Sequence, residues 1–415
     1  MSVRNRQVLM NWKSVVWCLN GFFVFMTVIY DHLPNNRQGI PKFLAIFSLQ
    51  FEKNLATYWE GWCLLLVAVL AFERFSKGDR SEGQAWLGLS ILTAGLSLDE
   101  LGSIHERAKY VFSAWNLTGM SALVPIAVPV LIILVFVLYR MRHFPSVRCF
   151  WLTLAGTITL GSVVVQEYLE QRVAWAWWAR GLRFGIEEGT ELVGIFLLLC
   201  VVVRPKSSVD KAIFLANILP RTETFIRLRQ NVAYLTLLGF GPLGILTVAT
   251  VPVAENRGTP ATWLPFVCLN LACMAAWTGA QHERRYNNRL LIVSAVALFF
   301  ALDQIIVFER ILDISIVRGR LANIMFPLMA GALLWIPDVW KRINLAIMSV
   351  LLILGMSHSL ASEAALTFVI PLQALGVFWI LTSALAESRD VIRLGQAEAF
   401  ETEEGEVQQF RVTHG

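Results

Sequence analysis

Eight acidic side chains interrupt apolar stretches in the first half of the chain, and all are predicted to reach the same face of a membrane. They lie at the ends of three stretches and comprise Asp99, Glu100, Glu106, Glu167, Glu170, Glu187, Glu188 and Glu191. Ionisable groups at membrane depth cost several kcal/mol unless they are paired or hydrated. Such a concentration of acids therefore predicts a functional site.

The chemistry that these residues favour is the binding of a divalent cation. Carboxylate oxygens suit Mg, Ca or Mn, and a nearby histidine extends the choice to a carboxylate-rich Fe, Mn or Zn centre. The chain contains neither an HExxH motif nor the Glu-x-x-His spacing of di-iron bundles. The number of ligands thus favours a metal more than their pattern does. The predicted metal ligands are Asp99, Glu100, His105, Glu106, Glu167, Glu187, Glu188 and Glu191.

Helical spacing groups some of these acids. Asp99 and Glu106 are seven residues apart, so a helix places them on one face, and Glu187, Glu191 and Gly194 share a face in the same way. A carboxylate beside a bound ion can also act as a general base. Asp99, Glu106 and Glu191 are the candidates for that catalytic role.

Arginine residues offer an alternative explanation for the same acids. Acids at the C-terminal ends of helices oppose the helix dipole, at roughly 0.3–1 kcal/mol each, and call for a positive group nearby. Arg107, Arg172, Arg180 and Arg183 are close in sequence. An acidic cluster fully paired with these side chains would fix helix packing and perform no chemistry.

A second polar set lies in the loop that leads into the second apolar stretch. It contains Asp31, Glu52, Asn54 and Thr57. A Glu or Asn just before a helix can cap its free backbone N–H groups. Because this loop reaches the same face as the acids, the set is alternatively predicted to form a lid over them.

Twelve apolar stretches must position these groups. The chain has 415 residues, is 56% hydrophobic and 16% charged, and has a mean hydropathy of +0.59, which is typical of a polytopic membrane protein. The sequence therefore predicts an all-α integral membrane protein with about twelve transmembrane helices. The stretches run over 14–31, 58–73, 84–104, 122–140, 148–168, 186–203, 232–253, 262–280, 289–309, 322–337, 342–361 and 366–386.

The placement of basic residues predicts the orientation. Most of the 35 Lys and Arg residues fall between stretches on the side that carries both termini, which the positive-inside rule assigns to the cytoplasm. The expected location is the inner membrane, with both termini cytoplasmic. This bias also accounts for the net charge of +5, so no nucleic-acid partner is expected.

Internal similarity predicts a duplication of six spans plus six. Leu98-Asp99-Glu100 ends the third stretch, and Leu302-Asp303-Gln304 ends the ninth. The predicted units are a six-span repeat with the acidic cluster at 1–204, a cytoplasmic amphipathic linker at 205–231, a second, degenerate six-span repeat at 232–387, and a polar cytoplasmic tail at 388–415. The linker is expected to lie on anionic lipid or to be a solvated segment.

Three motifs together are similar to those of a known family. Glu52-x-Asn54-x-x-Thr57, Ser97-x-Asp99-Glu100 with His105-Glu106, and Glu187-Glu188-x-x-Glu191 occur in this order. They resemble an uncharacterised family of bacterial multi-pass membrane proteins that has no assigned activity. The resemblance covers about residues 14–204 and implies a shared polar site without naming a substrate. One departure is Glu60, where the family tends to have a serine after the aromatic residue.

Three functions are compatible with these observations. The favoured hypothesis is a metal-dependent hydrolase or transferase acting at the outer face on a lipid or lipid-linked substrate. The alternatives are a cation- or proton-coupled transporter and a non-catalytic membrane scaffold. A pocket ringed by carboxylates would favour the enzyme, a path to both faces the transporter, and a shallow arginine-paired cluster the scaffold. The lipid bilayer and a lipid or ion substrate are the expected partners.

Overall fold

The computed structural model is all-helical over the residues that it describes, and no strand occurs among them. The described residues are 12–32, 44, 47–49, 54–77, 80–102, 121, 124–144, 146–170, 179–203, 219–229, 260–282, 287–305, 378, 381–382 and 385–386. The stretches predicted at 232–253, 322–337 and 342–361 and the tail at 388–415 lie outside these residues.

Nine helices make up the described architecture. Most of them cover, within a few residues, an apolar stretch predicted from the sequence. They are α1 (Trp12–His32), α2 (Leu55–Lys77), α3 (Arg80–Gly102), α4 (Val124–Met141), α5 (Val147–Glu170), α6 (Arg180–Val202), α7 (222–229), α8 (Pro260–His282) and α9 (Asn287–Ile305).

Four of the described helices are long and apolar enough to cross a membrane. These segments are Trp12–Tyr30, Leu55–Lys77, Val124–Met141 and Val147–Gln166. The outward faces of α4 and α5 expose large aliphatic side chains, among them Ile132 and Ile158, each 63% exposed. An apolar face of this size is typical of a surface that contacts lipid.

Helix α2 lies at the centre of the described bundle. It contacts α3, α6 and α9, and Leu66, Val67 and Ala71 on it are completely buried. Around it, α1 and α5 pack on α6, while α4 and α8 pack on α3. The N-terminal ends of α2 and α6 and the C-terminal end of α3 therefore meet at one end of the bundle, which we call the acidic end.

Small residues and hydroxyl groups allow these helices to approach closely. Ser97 Oγ donates to the Gly61 carbonyl at 2.9 Å, and Ser90 Oγ donates to the Ala68 carbonyl at 2.8 Å, so both join α3 to α2. A Cβ atom on Gly194 of α6 would meet Leu160 Cγ of α5 at 2.6 Å. Interfaces of this kind are typical of helices that associate within a membrane.

At the opposite end of the bundle, Arg74 of α2 contacts both α6 and α3. Its Nε and Nη2 atoms donate to the Val202 carbonyl at 3.1 and 3.0 Å, and its guanidinium lies 4.5 Å from the centroid of the Trp86 ring. The side chain thus satisfies a free carbonyl at the C-terminus of α6 while it packs on α3.

The predicted linker at 205–231 contains α7, which packs on the bundle. Phe225 is fully buried in the core, and Arg227 Nη1 donates to the Ser76 carbonyl at 2.9 Å. Thr278 Oγ1 of α8 donates to the Pro220 carbonyl at 3.4 Å. The Phe225 ring of this predicted linker is therefore buried against the bundle, and the surroundings of the rest of the linker stay a prediction.

Candidate carboxylate site

The first turn of α2 is fixed by Asn54. Its Oδ1 accepts hydrogen bonds from Thr57 N at 3.0 Å and from Thr57 Oγ1 at 3.3 Å, and its Nδ2 donates to the Ser48 carbonyl. This is the N-cap predicted from the sequence, and it is confirmed. The side chains of Asp31 and Glu52 lie outside the described residues, so the predicted lid over the acids stays a prediction.

Replacing Asn54 by alanine is expected to destabilise the protein by about 1 kcal/mol, because two groups at the start of α2 lose their acceptor. The measurement is the unfolding midpoint in an SDS titration followed by circular dichroism. Asn54→Asp separates the two contacts, since aspartate keeps the oxygen that accepts from Thr57 but loses the donor to the Ser48 carbonyl. An unchanged midpoint in Asn54→Ala would show that the cap contributes nothing to stability.

Glu60 lies six residues after Asn54, nearly two helical turns, and forms the centre of the site. Its side chain is only 2% exposed. Its carboxyl group interacts with Glu100 from α3 and with Glu191 and Glu188 from α6, and it is hydrogen bonded to Glu100. Glu60 Oε1 has no hydrogen-bond partner among the described residues. A buried polar atom in that state costs about 1–3 kcal/mol, so a role in binding is its simplest explanation.

The structure brings together three of the acids predicted from the sequence. Glu100, Glu188 and Glu191 all interact with Glu60. Glu187, which immediately precedes Glu188 on α6, is buried. Asp99 immediately precedes Glu100 on α3. The other predicted members have side chains outside the described residues, and they are His105, Glu106, Glu167 and Glu170.

The predicted arginine partners are only partly described. The guanidinium of Arg183 lies 3.9 Å from the centroid of the neighbouring Phe184 ring, on the first turns of α6. The side chains of Arg107, Arg172 and Arg180 lie outside the described residues. A cluster fully paired with arginine therefore stays an alternative.

An apolar floor lies one helical turn deeper than the acids. Leu64 follows Glu60 by one turn, Leu96 precedes Glu100 by one turn, and Ile195 follows Glu191 by one turn. These three side chains pack together with Cys63 and Leu160, and Trp59 and Trp62 pack against the same cluster. We call the five aliphatic and thiol side chains, Cys63, Leu64, Leu96, Leu160 and Ile195, the apolar floor, which lies between the acids and the middle of the bundle.

Helix α1 is tied to the same end of the bundle through Asn20. Trp59 Nε1 donates to Asn20 Oδ1 at 2.8 Å, and Asn20 Nδ2 donates to the Leu192 carbonyl at 3.4 Å. The Trp59 ring is stacked on Trp62, with centroids 5.6 Å apart. These contacts hold α1, α2 and α6 in a fixed arrangement beside Glu60.

The described part of the chain contains no three His, Cys, Asp or Glu side chains placed so that they could surround a metal ion. Glu60 and Glu100, in hydrogen-bonding contact, are the paired carboxyls of the site. Any metal bound here would therefore take few ligands from these residues and the rest from water, from a substrate or from the predicted ligands not described.

Comparison with known proteins gives one family. Residues 15–204 match the model of a domain of unknown function, DUF8692. The match includes α2 to α6 completely and nearly all of α1, so every described member of the site lies within the DUF8692 match. No curated protein and no solved structure matches the chain. The geometry of the site is therefore the basis on which a function can be proposed.

Glu60 is the member of the DUF8692-matching region that the sequence analysis missed as a site residue. The available signal was an acid within an apolar stretch, three residues after Thr57 and therefore on nearly the same helix face. In the sequence it stood out only as a departure from the family motif, next to Trp59.

Proposed function

We propose that this chain is an inner-membrane enzyme that uses a divalent metal to hydrolyse or transfer a group on a lipid or lipid-linked substrate. The observation that supports this proposal best is the carboxyl cluster above the apolar floor. An enzyme acting at a membrane surface needs a site that opens in one direction and excludes water on the other. Within the described residues, the apolar floor lies on the side of the Glu60 cluster that faces the middle of the bundle, and we propose that the site opens on the other side.

The apolar floor also argues against the transporter alternative. A coupled carrier needs its ion site near the middle of the membrane, with access to each face in turn. Glu60 lies only five residues after the first residue of α2, about 8 Å along the helix axis. Leu64, Leu96 and Ile195 then block the direct route between α2, α3 and α6.

The chemistry follows from the groups that surround Glu60. These carboxylates would hold a hard cation, and such a cation would supply polarisation of a substrate oxygen and a lowered pKa of bound water. A further carboxylate can then remove a proton from the attacking water, which typically contributes 10²–10⁴-fold in rate. Glu191 and Asp99 are the described candidates for this general base, and Glu106, outside the described residues, is the third.

A reconstituted assay tests the proposal. Purified protein in proteoliposomes of bacterial polar lipids, supplied with Mg²⁺ or Mn²⁺, is expected to convert a lipid species that mass spectrometry detects. Chelation by EDTA should stop the conversion. Cation flux into the vesicles, measured with an enclosed dye, should equal that of protein-free vesicles. Flux without lipid conversion would overturn the enzyme proposal and favour the transporter.

We also propose the finer topology of about twelve spans with cytoplasmic termini. The four described spanning helices and the basic segments between the apolar stretches support it. Reporter fusions at both termini test the orientation. A reporter that is active only in the cytoplasm should be active at both ends, and activity of a periplasm-specific reporter at either end would contradict the topology.

A duplication of the six-span unit is supported by two matching helical hairpins, the first formed by α2 and α3 and the second by α8 and α9. Helices α2 and α8 both have 23 residues. In the first hairpin Ser90 donates to the Ala68 carbonyl, and in the second Ser294 donates to the Cys273 carbonyl at 3.1 Å. The hairpins also contact each other reciprocally, α3 with α8 and α9 with α2.

The two hairpins differ at the site itself. With the helix ends and the serines aligned, Pro265 stands where α2 has Glu60, and Gln304 stands where α3 has Glu100. The second half therefore lacks both carboxyls of the pair. Its proposed role is to support α2, for which Tyr58 OH provides a buried hydrogen bond to Asn270 Oδ1 at 2.7 Å.

A further inference from the structure

We infer that Glu60 and Glu100 are the two protein carboxylates of a hydrated divalent-cation site, and that a phosphate group of the lipid substrate completes the coordination of the ion. This inference rests on the proposed function and adds a ligand, Glu60, and a substrate class, a lipid phosphate. It stands on three features of the described residues: the contact between the two carboxyl groups, the bare oxygen of Glu60, and the nature of the surrounding groups.

The contact between the Glu60 and Glu100 carboxyl groups is compatible with a shared ion. Their carboxyl groups lie within hydrogen-bonding distance. Neighbouring ligands of an octahedral ion with metal–oxygen distances near 2.1 Å are roughly 3 Å apart. Two carboxyl groups that approach to hydrogen-bonding distance can therefore bind one small ion by little more than side-chain rotation.

The second feature is the Oε1 atom of Glu60, which lacks a hydrogen-bond partner among the described residues. This atom is fully buried. The side chain comes from the central helix and interacts with carboxyl groups on both α3 and α6. An ion or its water at this position would satisfy the atom, which removes the cost of leaving it unpaired.

The surrounding groups favour a hard cation. The side chains that interact with Glu60 in the described part of the chain are carboxyl groups. The nearby thiol of Cys63 lies in the apolar floor, packed among Leu64 and Ile195. Oxygen ligands without thiolate suit Mg²⁺ or Mn²⁺ better than a soft metal.

Two carboxylates leave most of the coordination shell open, and this points to phosphate. Magnesium sites commonly take one or two carboxylates, several waters and the phosphate oxygens of a substrate. A phosphate could not approach Glu60, Glu100, Glu188 and Glu191 directly, because like charges repel at this distance. The cation would therefore bridge them, while Glu188 and Glu191 accept hydrogen bonds from its waters.

The experiment measures Mn²⁺ binding to the purified full-length chain by electron paramagnetic resonance. The wild type is expected to bind about one Mn²⁺, and Glu60→Gln to weaken binding at least about tenfold. Glu82→Gln is the matched control, because Glu82 lies in the first turn of α3, at the far end from Glu100. Addition of phosphatidic acid in micelles should produce a ³¹P coupling on the bound Mn²⁺, and inorganic phosphate tests whether the lipid part is required.

Each outcome bears on the inference. Equal Mn²⁺ affinity in Glu60→Gln and wild type, no bound Mn²⁺ in the wild type, or no ³¹P coupling with either phosphate source would overturn it. The unfolding midpoints of both variants establish that they are folded, and Glu60→Asp, which keeps the carboxylate, should recover part of the affinity. Metal-dependent lipid conversion by a Glu60→Gln variant that binds Mn²⁺ as tightly as the wild type would overturn this inference alone. Tight Mn²⁺ binding without any conversion would overturn the proposed enzyme alone.

Discussion

Replacing Glu60 by glutamine is expected to reduce metal-dependent lipid conversion by at least about 100-fold, which corresponds to about 2.7 kcal/mol of transition-state stabilisation. The amide keeps the size of the side chain but removes the charge that would hold the cation beside Glu100. The measurement is the initial rate of conversion in proteoliposomes at saturating Mg²⁺, with wild type and variant at equal protein content.

The unfolding midpoint distinguishes a loss of activity from a loss of folding in the Glu60→Gln variant. Glu60 is buried among other acids, so a neutral side chain should leave the unfolding midpoint unchanged or raise it. Glu82→Gln should change neither the rate nor the midpoint. A Glu60→Gln variant with the wild-type rate would contradict the assigned role, and one that is strongly destabilised would show that the acid serves packing.

Two glycine-to-alanine substitutions on neighbouring helices are expected to change stability in opposite directions. On Gly194 the new Cβ atom would lie 2.6 Å from Leu160 Cγ and 3.0 Å from the Gly156 carbonyl oxygen, so α5 and α6 must separate. We expect Gly194→Ala to destabilise the protein by about 2 kcal/mol. Gly161→Ala meets nothing within 4 Å, and we expect it to stabilise α5 by about 0.5–1 kcal/mol.

The unfolding midpoint in SDS, read by circular dichroism, measures both effects. Gly161→Ala is the matched control, because it makes the same chemical change on a helix of the same pair. Because Gly194 lies one turn from Glu191, Gly194→Ala should also weaken Mn²⁺ binding, whereas Gly161→Ala should not. Equal midpoints for the two variants would contradict the close packing of α5 on α6.

Much of the helical framework could be predicted from the sequence because its signals are local. The apolar stretch predicted at 58–73 forms α2, which begins at Leu55 behind its predicted cap, Asn54. The direction of successive helices places Glu100 at the same end of the bundle as Glu188 and Glu191. Alternating direction along the chain suffices to predict that these acids meet.

Which residues of one helix face the next helix could not be predicted in the same way, because the rotation of each helix about its axis depends on the helices packed against it. The sequence grouped Asp99 with Glu106, but Ser97 and Leu101 of α3 are the residues that contact Gly61 of α2. That rotation brings Glu100 toward Glu60. Glu60 could not be recognised as a site residue from the sequence, since only the packing of α3 and α6 on α2 buries it.

The apolar floor has an electrical consequence for any ion bound at Glu60. From Leu64 to Lys77, α2 continues for about 20 Å beyond the acids. Most of the transmembrane voltage would drop across this dry, low-dielectric segment and little of it across a hydrated site above the floor. A divalent ion that crossed the full field would gain or lose about 4.6 kcal/mol per 100 mV. Binding beside Glu60 should therefore be nearly independent of the membrane potential, so a de-energised cell and a respiring one would load the site equally.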